Sequence, residues 1–395
     1  MRGAFGIVQY MEGTGKNLRL PANPPYFTEG QRSFDATTGS GTAAIGFADV
    51  VQVGGGPSTL YRIFAPDLRP QFTKQWNLFV ERKLTDSLSA QAGYVGSRSS
   101  HMVVPFDFNQ PNPGTGDPST WAPLLERRPL FPLNPGIGTT SGTNSIGVGK
   151  YDALQVSLRE RSKGGLEFLA SYTYGKALTD NVGYYGTGTA IQGWYYLDST
   201  DPLKDYGPAP TDVRHAFSFA ANYEVPFGKG RKNGSDWSGL KDAVLGGWNV
   251  NTIFMARTGF PITVWDGAGQ SLQAPRTVER PNITCSGETG ASGPNDTWMD
   301  INCFQHAAAG TFGNSGVGIL RGPGYWNVDL GISKNFALDE KRYIQFRAEA
   351  FNVFNHPNFN VDLGHANISD PGSFGRVAGT LSAPRIIELA LKLVF

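Results

Sequence analysis

Apolar side chains recur at every second residue in stretch after stretch of this chain. Trp76, Leu78 and Val80 alternate with Asn77 and Glu81, and Leu154, Val156 and Leu158 with Gln155, Ser157 and Arg159. The same beat carries Phe168–Ala170–Tyr172–Tyr174, Phe217–Phe219–Ala221–Tyr223, Trp248–Val250–Thr252–Phe254 and Val328–Leu330–Ile332. It ends with Ile344–Phe346–Ala348–Ala350 and Ile387–Leu389–Leu391–Leu393–Phe395. A period of two gives a strand one apolar and one polar face, whereas a helix repeats every 3.6 residues. No convincing amphipathic helix stands out, so the fold class is all-β.

The connections are segregated by length. Residues 84–87, 162–165 and 337–340 read as short turns. Between them lie long segments, 11–70, 98–149, 179–211, 259–324 and 356–383, rich in Gly, Pro, Asn, Ser and Thr. Segment 228–245 is the exception, falling where a short turn is due. Long loops at one end and short turns at the other are the pattern of outer-membrane barrels. About ten strands of ~9–13 residues are expected, the length a tilted strand needs to cross a bilayer. A soluble β-sandwich would show the same alternation but has no reason to sort its loops.

Charged residues make up 17% of the chain, below the ~25% of an ordinary soluble domain. No run of ~18 apolar residues is present, so no transmembrane helix is expected. The net charge of +1 gives no electrostatic case for nucleic acid. Aromatic residues near segment ends, such as Trp76, Tyr94, Tyr174, Tyr223, Trp248, Trp326 and Phe354, suit a membrane–water interface. The opposite face carries Arg159, Glu167, Glu224, Asp329, Arg347, Glu349 and Lys392, which in a wide barrel would line a hydrated lumen. Cys285 and Cys303 lie in one Gly/Pro/Asn/Asp-rich stretch and read as a disulfide in an oxidising compartment, with two unpaired thiols as the alternative.

Residues 385–395 form a strand ending on Phe395, with Ile387, Leu389, Leu391 and Leu393 on one face. A terminal aromatic on an alternating strand resembles the segment read by the barrel assembly machinery of outer membranes. Further motifs run almost end to end. They include Arg2-Gly3-Ala4-Phe5-Gly6-Ile7, Asn23-Pro24-Pro25-Tyr26, Gly93-Tyr94-Val95-Gly96-Ser97, Tyr151-Asp152-Ala153-Leu154-Gln155 and Ala170-Ser171-Tyr172-Thr173-Tyr174-Gly175-Lys176-Ala177. Asp212-Val213-Arg214-His215, Gly310-Thr311-Phe312-Gly313-Asn314 and Phe346-Arg347-Ala348-Glu349-Ala350-Phe351-Asn352-Val353-Phe354-Asn355-His356 continue the series. Each is weak alone; in this order they resemble the C-terminal part of the barrel of Oar-like TonB-dependent transporters.

The resemblance implies an outer-membrane transporter or receptor, working with an inner-membrane TonB complex and capturing an unspecified extracellular ligand in its loops. The family's barrels resemble others of ~22 strands. Residues 1–395 would therefore be a C-terminal portion, a fragment lacking the plug and the carboxypeptidase-regulatory-like domain that precede the barrel in the family. The first residues are too short and mixed for a signal-peptide core.

Candidate site residues follow. Arg159, Asp212, Arg214, Asp329, Arg347 and Glu349 are candidates for the lumen wall, although Asp212-Val213-Arg214-His215 suits internal charge pairing better than substrate contact. Trp194, Tyr195 and Tyr196 are loop aromatics that suit either stacking on a ligand or packing the loops together. Gly13-Thr14-Gly15-Lys16-Asn17 lacks the glycine and hydroxyl of a phosphate loop. No catalytic triad, metal or cofactor motif appears, and His101, His215, His306, His356 and His365 are scattered. Two rival readings stay open: a passive outer-membrane pore or adhesin barrel, and a secreted β-sandwich module for polysaccharide.

Overall fold

Ten long strands follow one another around the sheet in chain order, each antiparallel to the next, in the computed structural model. They are β1 (Arg2–Tyr10), β2 (Gln71–Lys83), β3 (Leu88–Phe106), β4 (Ile137–Arg161) and β5 (Leu166–Thr179). The series continues with β6 (His215–Glu224), β7 (Trp248–Arg257), β8 (Tyr325–Ala337), β9 (Tyr343–Phe351) and β10 (Ile386–Val394). The structure describes residues 1–10, 59–161, 164–180, 196–268, 279–339 and 341–395, and two short strands at 34–35 and 40–41. Among the described residues β1 and β10 form the two edges of this sheet, and neither pairs on its outer side.

The register shows why the alternation matters. Tyr223, Val250, Ile332, Ala348 and Leu389 stand in one cross-strand row from β6 to β10. The neighbouring row, pointing the other way, is Asn222, Asn251, Gly331, Glu349 and Glu388. A slip of one residue in any strand would put its apolar set on the polar face. The eight alternating stretches thus lock into one continuous apolar face. On the polar face the Phe79 ring of β2 lies across Gly93 of β3, where a Cβ would stand 2.1 Å from a ring carbon. The ring covers backbone that glycine leaves bare, which helps to pin that register.

Several strands outgrow the expectation. Residues 98–149 read as one connection, yet β3 runs to Phe106 and β4 starts at Ile137. The extra length carries no period-two mark, because both faces are covered there. Consecutive Val103 and Val104 are both buried, at 5% and 0% exposure. The strand Thr59–Phe64 pairs in parallel with this upper part of β4.

The exceptional connection between β6 and β7 holds a two-turn helix, α1 (Gly239–Leu245), which sequence periodicity missed because seven residues are too few to establish a 3.6-residue repeat. It docks onto the apolar face at the short-turn end of the sheet. Lys334 Nζ donates to the carbonyls of Asp242, at 2.9 Å, and Gly246, and Trp248 Nε1 donates to Val244 O at 2.8 Å.

The buried core lies in the long connections, not in the wall. Ile262, Val264, Met299, Cys303, Phe304, Leu320, Val361, Ala366, Ile368 and Phe374 pack together from the two segments 258–324 and 352–385. Cys285 and Cys303 are bonded, with Cα atoms 5.0 Å apart, and Cys303 sits inside this cluster. Closing a loop of that size is worth about 3 kcal/mol in the chain-entropy account.

Candidate functional site

Two surfaces carry the polar chemistry: the polar face of the sheet, and the layer of long connections above it. Arg159, Asp329, Arg347 and Glu349 stand on the polar face. Arg159 and Asp329 belong to one row, Ser89–Arg159–Leu169–Ala220–Ile253–Asp329, four strands apart. Arg347 and Glu349 pair with each other along β9. Asp329 accepts from Asn327 Nδ2 at 2.7 Å and from the Asn352 backbone N–H at 2.9 Å. Leu169, Ile253 and Met255 share this face, so it is mixed rather than uniformly polar.

Asp212 departs from the expected wall position but makes the internal charge pairing that its sequence suits. It lies in the connection before β6, not on the lumen wall, and is 1% exposed. The Ala177 N–H donates to it at 2.6 Å, Arg321 pairs with it closely, and Arg214 stands at 3.7 Å. Arg321 also donates to Gly259 O at 3.1 Å. Asp212 with Arg214 and Arg321 therefore ties the top of β5 to the 258–324 connection.

Two more buried ion pairs stand elsewhere in the layer, and neither is marked in the sequence. Asp107 faces Arg128 at 3.4 Å, and its carboxylate also accepts from Thr140 N and Oγ1, each at 2.9 Å. Asp205 pairs with Arg280, whose guanidinium donates to Ser315 O and Lys204 O, both at 2.8 Å. These residues sit in aperiodic segments, so no spacing announces them.

Trp194 and Tyr195 lie outside the described residues. Tyr196 is 1% exposed and meets the Phe106 ring edge-on at 6.2 Å between centroids, so it packs the loops instead of presenting a stacking surface. Burial and the nearby Asp180 and Asp205 charges push its hydroxyl pKa up. Asp180 is pushed up to about 6, chiefly by its own burial, although the Val148 N–H donates to its carboxylate at 2.7 Å. The phosphate-loop-like Gly13–Asn17 also falls outside the described residues.

The histidines are dispersed. His306 faces Asp266 at 2.7 Å, His365 faces Asp362 at 2.6 Å, and His356 stacks on Trp326 with centroids 4.1 Å apart. Among the described residues no group of three or more His, Cys, Asp or Glu is placed to hold a metal ion. His215, Phe217, Trp298, Trp326, His356 and Phe359 line an apolar cavity of about 560 Å³ at the long-connection end of the apolar face.

The terminal strand presents Ile387, Leu389, Leu391 and Leu393 at 56–74% exposure on the apolar face, and Phe395 follows at 92%. An apolar face this exposed across ten strands has one suitable solvent, hydrocarbon.

A family model for an outer membrane beta barrel domain matches residues 1–388. Among solved structures, the ferric-catecholate import receptor Fiu of E. coli K12 aligns at a TM-score of 0.40 and 10% identity, covering 99% of this chain and 32% of that one. The outer membrane transporter YddB from Escherichia coli aligns at 0.42 and 11%, over 87% and 35% of the two chains. BauA, the ferric preacinetobactin receptor from Acinetobacter baumannii, gives 0.38 and 12%, over 82% and 30%. The chain thus spans about a third of the length of these proteins. No curated protein matches.

Proposed function

The chain belongs to the outer membrane β-barrel domain family, and from that premise we propose that it forms the C-terminal part of the wall of an Oar-like TonB-dependent transporter. The observation that carries this is the pair of open edges. A ten-stranded sheet with one lipid-facing side leaves the outer backbone groups of β1 and β10 without sheet partners among the described residues. In lipid each unsatisfied group costs several kcal/mol. Further strands of a wider barrel would resolve that cost, and the Oar-like motifs support this barrel type.

In this reading Arg159, Asp329, Arg347 and Glu349 line the passage, and the folded loop layer is the platform for ligand capture. A plug closes the passage, and a TonB complex acts through a region beyond these 395 residues. Ile387, Leu389, Leu391, Leu393 and Phe395 are the segment read by the barrel assembly machinery. The wall's task is transport, not catalysis.

The test is an outer-membrane immunoblot with an antibody to the 285–303 loop, combined with formaldehyde crosslinking. The reading predicts a heat-modifiable band well above 42.6 kDa that crosslinks to TonB. A heat-modifiable 42.6 kDa band with no TonB adduct contradicts it.

A further inference from the structure

Just above the apolar band, at the end of the long connections, the membrane-facing side of four adjacent strands turns basic. Lys74 of β2 stands directly opposite Arg98 of β3, and Arg98 directly opposite Lys150 of β4. Lys176 of β5 stands opposite Asp152, one step down the same face from Lys150. The next row down on the same face is Trp76, Gly96 and Asp152, and the row after it Leu78, Tyr94 and Leu154, so all four cations share the parity of the lipid-facing residues.

Like charges placed directly opposite each other destabilise a sheet. Asp152 compensates in part, facing Arg98 at 3.2 Å and Lys150 at 3.3 Å and accepting from Tyr94 Oη at 2.5 Å. Lys74 and Lys176 are exposed and have no carboxylate partner among the described residues. Four cations against one carboxylate leave a net excess of three positive charges. The Arg98 guanidinium lies 5.2 Å over the Trp76 ring, which holds it flat against the wall. Lys176 lies in the row of Trp76 and the other three cations one row beyond it, a depth at which side chains meet the headgroup layer and not the hydrocarbon.

We propose that Lys74, Arg98, Lys150 and Lys176 form a binding surface for the phosphate groups of outer-leaflet lipid headgroups. Phosphate oxygens accept charge-assisted hydrogen bonds from guanidinium and ammonium donors. They also supply the negative charge that the row lacks. The occupant is lipid because the row faces the bilayer and adjoins the hydrocarbon-covered band; a free phosphate would have to enter from the membrane side. The inference rests on the membrane location alone, so it can fail while the transporter reading stands.

The experiment reconstitutes the whole protein in phosphatidylcholine bilayers and titrates lipopolysaccharide, with a dephosphorylated preparation as control. Native mass spectrometry counts the bound lipid, and heat-dependent gel mobility checks the fold. Each cation near an anionic headgroup layer is worth roughly a fivefold change in affinity, so K74Q/R98Q/K150Q/K176Q should weaken binding by about two orders of magnitude or more. K74R/K150R/K176R should retain binding, and dephosphorylation should weaken it as the glutamine set does. If the fourfold variant does not assemble, K74Q/K176Q removes only the two cations without carboxylate partners, with a loss of roughly 25-fold expected. Unchanged binding in K74Q/K176Q, equal binding of the dephosphorylated lipid, or displacement by millimolar inorganic phosphate would each overturn the proposal.

Discussion

The wall and the loop layer of this protein keep their apolar residues in opposite places. In β10 the leucines at 389 and 391 are 72% and 74% exposed, whereas Val264 and Ala366 in the connections are 0% exposed and Met299 is 1%. The same side-chain chemistry obeys two solvents. Where hydrocarbon lies outside, apolar groups turn outward and charges such as Arg347 and Glu349 stand on the opposite face. Where water lies outside, the connections fold as a small soluble protein would, with an apolar cluster, a disulfide and ion pairs buried beneath it. The loops are thus a second folded body carried on the rim of the first.

Breaking the loop body should leave the wall standing. The largest effect is expected from Arg280→Ala, which strands the Asp205 carboxylate in a buried site and should cost the loop layer about 3–5 kcal/mol. Protease added to intact cells should then cut within 258–324, while the heat-modifiable band of the assembled barrel persists. Loss of that band together with the loops would show that the two bodies are not separable.

The wall can be challenged in the converse way. Leu330→Arg places a cation on the lipid face and should cost about 2–4 kcal/mol of barrel stability in a urea titration. Ile253→Arg, on the opposite face and one residue from the Leu330 row, should be near neutral, because its neighbours there are Ala220 and Asp329. Equal losses from both would remove the distinction between the faces.

The smallest effect concerns pH. Asp180 is held up at about 6 in the folded loop layer against an ordinary value of 3.8. The unfolded segment therefore releases its proton first. Loop stability should be greatest near pH 4, fall as pH rises toward 6, and stay level above that. Asp180→Asn keeps an acceptor for the Val148 N–H and should abolish the fall, read as amide exchange in 145–150 between pH 4 and pH 7.

The wall was legible because lipid on one side and water on the other print a period of two onto the sequence. Residues 2–10 and 386–394, strand-like by sequence, are the two edges of the sheet. Legibility stops where that asymmetry stops. The upper halves of β3 and β4 are covered on both faces, so Val103 and Val104 gave no signal. The loop core draws Val264, Leu320 and Phe374 from distant segments with no common period. Between stacking on a ligand and packing the loops, Tyr196 is decided only by its partner Phe106, from a distant segment. Asp212 reads as a wall residue until Arg321, from another connection, reaches it.

The central claim is that one face of this sheet meets lipid and the other meets water. Strand β7 tests it most directly, because it is paired on both sides and carries apolar residues on both faces. Both cysteines of the described structure are tied up in the disulfide, so single cysteines placed at 249 through 254 would report alone. Labelled in intact outer membranes with a membrane-impermeant maleimide, positions 249, 251 and 253 should react, and 250, 252 and 254 should be protected. Reaction at Ile253→Cys but not at Phe254→Cys is the result the account predicts; equal labelling along the strand, or labelling of the even positions, would contradict it.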